Sequence, residues 1–98
     1  MYTFDPKKIL WKEAGDEIVV LNLPTGFYYT LNDSGVFVWR GILDNRAPEQ
    51  IAQQLQDAFD VDCEMAIHDV HECIQELCAE GIIQVMDSAL AFRATNAG

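Results

Sequence analysis

LNLPTGFYYTLNDSGVFVW, residues 21–39, decides the fold, because it reads in turn as a strand end, a reversal, an aromatic strand and the start of a helix. Phe27, Tyr28, Tyr29 and Leu31 favour a pleated, half-buried strand, and Pro24-Thr25-Gly26 before them supplies what a reversal needs. Asn32, Asp33 and Ser34 follow at once, so a side-chain oxygen is at hand to cap a helix running to about Leu43. One strand leads straight into one helix.

Toward the N-terminus, residues 8–13 and 16–23 read as two further strands around Ala14-Gly15-Asp16. With residues 27–31 they form an antiparallel meander, and the aromatic strand lies at one edge if the order follows the sequence. Toward the C-terminus three helices are predicted. The first buries Val38, Trp39, Ile42 and Leu43. The second starts at Pro48, a favoured first helical residue, and buries Ile51, Ala52, Leu55 and Phe59; Ala47 is a poor cap before it. Asp62 caps the third and longest, Glu64 suits its first turn, and Val61 is placed to pack on Ala66. Its apolar stripe is Cys63, Ile67, Val70, Ile74 and Leu77, flanked by Ala66, Cys73 and Cys78, until Gly81 stops it. Residues 82–86 extend again, and 87–98 read either as a small wing, with 89–92 pairing back across Asp87-Ser88, or as a frayed tail. The sum is an α+β, winged-helix-like domain: a three-stranded antiparallel N-terminal sheet followed by three helices, with a small C-terminal wing.

A length of 98 residues fits a single domain over 1–98 with its core at about 8–86, too small for that core and a deep enzyme pocket together. No wholly apolar stretch exceeds four residues, as in Ile18-Val19-Val20-Leu21, and Met1-Tyr2-Thr3-Phe4 lacks the basic and apolar regions of a signal peptide. A cytoplasmic protein with no membrane partner is expected. The winged-helix outline raises nucleic-acid binding, and charge argues against it. The net charge is −10, and between Arg46 and Arg93 there are ten acids and no Lys or Arg, whereas duplex binding depends on cations that neutralise phosphates. Glu64, Asp69, Glu72, Glu76 and Glu80 read as a solvated helix face. The small basic exception is Lys7, Lys8 and Lys12.

Cys63, Cys73 and Cys78 fall in one helix, the nearest two about 7.5 Å apart along its axis, too far for a disulfide. With His68 and His71 they scatter round that helix and lack zinc-ribbon spacing, so reduced core or boundary cysteines are expected and no metal. No motif links Ser34 or Ser88 to a histidine as nucleophile and base, and the glycines form no phosphate loop. Neither catalysis nor a cofactor is expected.

What remains is a binding module with a free sheet edge. Natural edges usually defend themselves with Lys, Pro or a bulge, and residues 27–31 carry no such defence. Two readings stand from the residues alone: an aromatic strand that only packs the core, or an edge that accepts an added strand.

The ordered pieces are Trp11-Lys12-Glu13, DEIVVLN at 16–22, TGFYYTLNDSG at 25–35, Val38-Trp39, two acidic helices and Glu80-Gly81-Ile82-Ile83. Across about residues 8–86 they resemble the PqqD family, the small RiPP recognition elements that chaperone precursor peptides; the Trp39 segment differs from members tied to pyrroloquinoline quinone assembly. The resemblance implies that a precursor leader binds as an added strand between the third strand and third helix, for delivery to a separate modifying enzyme of radical, protease or cyclase type. By position it implies a site of Phe27, Tyr28, Tyr29, Thr30 and Leu31 opposite Ile67, Val70, His71, Ile74 and Cys78. Tyr29 and Leu31 would face inward and Tyr28 outward. The alternatives are a winged-helix nucleic-acid regulator, and an adaptor using the same edge for a partner protein or for self-pairing into a homodimer.

Overall fold

The computed structural model describes residues 2–85. Its strands are β1 (Tyr2–Thr3), β2 (Ile9–Ala14), β3 (Glu17–Asn22), β4 (Tyr28–Leu31) and β5 (Gln84–Val85), and its helices are α1 (Ser34–Leu43), α2 (Pro48–Phe59) and α3 (Cys63–Ala79). β2, β3 and β4 form the antiparallel meander in sequence order, leaving β4 at an edge among the described residues. The α+β architecture is therefore the one read from the sequence. β5 falls within the segment expected to extend, but its partner is β1, with Tyr2 opposite Val85. Sequence reading gave the first residues no strand. The wing expected over residues 89–92 lies outside the described residues.

Alternation along β3 sets the layers: Ile18, Val20 and Asn22 are buried while Val19 and Leu21 are half-covered on the outer face. Val38, Trp39 and Ile42 of α1, Ile51, Ala52 and Leu55 of α2, and Ala66, Val70, Ile74 and Leu77 of α3 meet that inner face in one core. Trp39 is 0% exposed at its centre, with the Phe4 and Trp11 rings 5.7 and 6.1 Å away. Gly41 lets α1 and α2 approach, since a Cβ there would stand 2.5 Å from Cγ1 of the buried Ile51.

Three local expectations are corrected. Asp33 occupies the cap of α1 with φ 48° and makes no side-chain cap bond; the bend out of β4 takes precedence over capping. Phe59 is 41% exposed, not buried, and meets Phe37 edge-on at 5.3 Å near the end of α2. The buried line of α3 runs through Ala66, while Cys63 is exposed and Ile67 only half-buried, because α1 and α2 approach a slightly rotated face. Elsewhere the local chemistry performs as expected. Asp62 accepts the Met65 N–H at 2.7 Å, and Gly81, at φ 73°, ends α3 while Ile82 N–H returns to the Leu77 carbonyl at 2.9 Å. The junction at Ala47, expected to be loose for want of a capping side chain, is instead held by Gln50, whose side chain accepts the Ala47 N–H at 3.0 Å.

Candidate functional site

The free edge has a defined phase. Asn22 N–H donates to the Phe27 carbonyl at 2.9 Å, and the register sets Val20 opposite Tyr29 and Ile18 opposite Leu31. Backbone groups alternate sides along an antiparallel strand. The backbone polar groups of Tyr29 and Leu31 and the Phe27 carbonyl therefore turn toward β3, while the Phe27 N–H donates to the Thr25 hydroxyl at 3.2 Å, and the N–H and C=O of Tyr28 and Thr30 face away from the sheet. On the far side of β3 the same phase holds, with Leu23 N–H donating to the Lys8 carbonyl at 2.9 Å.

Beyond those outward groups lies a groove of about 340 Å³ between β4 and the C-terminal half of α3. Tyr29, Thr30 and Leu31 form one wall; Cys73, Glu76, Leu77 and Glu80 form the other, with Ile82 also lining it. The pleat sends Tyr29 and Leu31, both half-buried, toward the helices, and Tyr28, 69% exposed, to the outer face. Phe27, 65% exposed, stands just before β4.

Two polar ties hold α3 beside the sheet. Asn22, 4% exposed, donates from Nδ2 to the Glu80 carbonyl at 2.9 Å, and the Tyr29 hydroxyl donates to Glu80 Oε2 at 2.7 Å across the groove. The bond to Glu80 is also the main reason the Tyr29 phenol titrates above its ordinary value. Cys73 on the helix wall is pushed up to about 11, chiefly by burial and further by Glu76 and Glu72. Among the described residues no group of three or more His, Cys, Asp or Glu is placed to hold a metal ion.

Of the sequence-derived strand residues, Tyr29, Thr30 and Leu31 line the groove while Phe27 and Tyr28 do not, and none of the helix residues does. Val70 and Ile74 are core residues at 0% and 7% exposure. At about 100° per residue, Ile67, His71 and Cys78 fall on one side of that buried line and Cys73, Glu76 and Glu80 on the other, and the second side faces β4. Reading the more apolar flank as the groove wall points to the side of α3 turned away from β4, whereas the acid-bearing flank, which the sequence marks as a solvated face, lines the groove. Asn22 was also missed; its polar side chain at an inward position, after Ile18 and Val20, was the available signal.

An expected outcome follows for the thiols. Only thiolate alkylates readily, so at pH 7.5 iodoacetamide should modify exposed Cys63 first and Cys73 much more slowly. Peptide in the groove should slow Cys73 further. Mass spectrometry of digests checks both statements, and equal rates at Cys63 and Cys73 would contradict the burial of Cys73.

An open-edged meander backed by three helices defines a small α+β domain with a groove between its edge strand and its last helix. The chain belongs to the PqqD family: the family described as coenzyme PQQ synthesis protein D matches residues 17–83. Two solved structures share the fold. One, described as TbiB1 in complex with the TbiA(beta) leader peptide, superposes with a TM-score of 0.76 at 21% identity, covering 88% of this chain and 99% of that one. The other, lasso peptide synthetase B1 complexed with the leader peptide, gives 0.77 at 24% identity, covering 86% and 98%. Comparison with curated protein sequences gives no match.

Proposed function

We propose that this chain is a single-domain, non-catalytic peptide chaperone. It captures the leader of a ribosomally made precursor as a strand added to β4 and presents the attached peptide to a separate modifying enzyme, in the cytoplasm and without a cofactor. The observation that carries this reading is the outward N–H and C=O of Tyr28 and Thr30 beside the β4–α3 groove. The description of both similar structures as leader complexes supports it. Tyr28, Tyr29, Thr30 and Leu31 would hold the leader on the strand side, with Phe27 at the end of the edge and Cys73, Glu76, Leu77 and Glu80 on the helix side. The anionic surface disfavours the nucleic-acid alternative, since α3 carries no Lys or Arg to meet a phosphate.

Energetics shape the ligand. Each backbone hydrogen bond contributes about 0.5–1.5 kcal/mol net, and ordering a flexible leader costs about 2–5 kcal/mol. Pairing to Tyr28 and Thr30 thus roughly offsets ordering, and apolar side chains entering beside Tyr29, Leu31 and Leu77 must supply most of the affinity. Micromolar binding, about −8 kcal/mol, is the expected scale. Holding the leader raises the effective concentration of the attached peptide at the enzyme.

Calorimetry with the leader of a candidate precursor peptide, and with duplex DNA as control, tests the reading. Leader binding without DNA binding is expected, and the reverse would refute it. The charge of −10 adds a kinetic signature for a leader with basic flanks. Raising salt from about 0.05 to 1 M shortens the screening length to about 3 Å, so stopped-flow should show the on-rate falling about tenfold while the off-rate changes little. An on-rate indifferent to salt would remove the electrostatic part of the account.

A further inference from the structure

The groove beside β4 does not end with β4. Its α3 wall shares Cys73 and Glu76 with a second cavity of about 300 Å³, which Ser34 and Gly35 bound at the start of α1. That cavity shares Ser34 and Asp69 with a third of about 370 Å³, walled by Leu55, Phe59 and Val61. The three form one track that follows α3 toward its N-terminus, from Glu80 to Asp69, about 16 Å at 1.5 Å per residue.

The chemistry changes along the track. The first section offers a strand edge over Leu31 and Leu77, the second is rimmed by Asp69, Glu72 and Glu76, and the third is walled by Leu55, Phe59 and Val61 together with Asp33, Ser34 and Asp69. Phe59 keeps 41% of its surface exposed in this last section. Among the described residues no Lys or Arg lines any of the three.

We propose that the track is one extended site. The peptide held at β4 continues past the start of α1, sets a basic side chain against Asp69, Glu72 and Glu76, and seats an apolar or aromatic side chain between Leu55, Phe59 and Val61. This inference rests on strand addition at β4. Complementarity carries it: only a cationic segment matches an acid-rimmed passage, and only an apolar one matches the pocket beyond it.

The geometry also sets spacing. Glu76 and Asp69 stand about 10 Å apart along α3, a distance spanned by about three extended residues. The anchor therefore lies about three to five residues beyond the last strand-paired residue. Because β4 runs toward α1, an antiparallel peptide carries that anchor on its N-terminal side and a parallel one on its C-terminal side.

The test uses 16-residue peptides selected from a random display library on the full chain, then titrated against Thr30→Pro, Asp69→Lys and Phe59→Asp, with circular dichroism confirming each fold. Asp69 is exposed, so Asp69→Lys decides even if Phe59→Asp does not fold; trimming the anchor end of the peptide is the second arm. At least tenfold weaker binding to Thr30→Pro and to Asp69→Lys, with an equal loss on trimming, supports the extended site. Loss with Thr30→Pro but neither with Asp69→Lys nor on trimming overturns the extension and leaves strand addition standing. Unchanged affinity for Thr30→Pro overturns strand addition and the extension with it.

Discussion

Trp39→Ala is expected to lower stability by about 3–5 kcal/mol, a large share of the roughly 5–15 kcal/mol that holds a domain of this size. Trp39 is 0% exposed and joins the sheet side, through Trp11, to the N-terminal segment, through Phe4. Its truncation leaves a cavity that rigid strands and helices cannot close. Its indole N–H is buried with no acceptor among the described residues, so Trp39→Phe removes an unpaired donor along with some volume and should cost clearly less. Urea denaturation of the two variants measures the difference. Equal losses would mean that the cavity is not the dominant cost.

Thr30→Pro is expected to weaken leader binding by about ten- to a hundredfold, or 1.4–2.8 kcal/mol, while the fold survives. The ladder phase turns the Thr30 N–H away from β3. Proline there removes an outward donor, a loss that edge strands tolerate, and its ring obstructs an incoming strand. Tyr29→Pro is the contrast, since the Tyr29 N–H faces β3 and its loss should reduce stability itself. Calorimetry paired with thermal melts separates the two effects. A folded Thr30→Pro variant that binds the leader as tightly as the native chain would place the peptide elsewhere.

The strands and helices were legible because their signals were local and mutually consistent. Pro24 and Gly26 mark the reversal, β3 alternates Ile18, Val20 and Asn22 inward, Asp62 caps α3, and Gly81 ends it. β1 was not legible, because its two residues are held by distant partners: Val85 and Gln84 across the ladder, and Arg46, whose carbonyl accepts the Tyr2 hydroxyl bond at 2.9 Å. No local periodicity encodes such pairings.

The same limit governed the site. Which strand residues face the groove follows from the pleat, so Tyr29 and Leu31 could be placed from the sequence. Which flank of α3 faces β4 depends on how α1 and α2 pack against the buried line, and that is a tertiary outcome. The sequence marks Ile67, His71 and Cys78 as the more apolar flank and Glu76 and Glu80 as the more polar one. The fold turns the polar flank to the edge, where Tyr29 donates to Glu80 and Asn22 holds its carbonyl.

Amide hydrogen exchange along β4, read by nuclear magnetic resonance with and without saturating leader, tests strand addition most directly. In the free chain the Tyr28 and Thr30 amides should exchange fast and those of Tyr29 and Leu31 slowly, because only the latter pair with β3. Leader binding should slow Tyr28 and Thr30 by at least about tenfold and leave Tyr29 and Leu31 nearly unchanged. A saturated complex in which Tyr28 and Thr30 exchange as fast as in the free chain would contradict strand addition at β4.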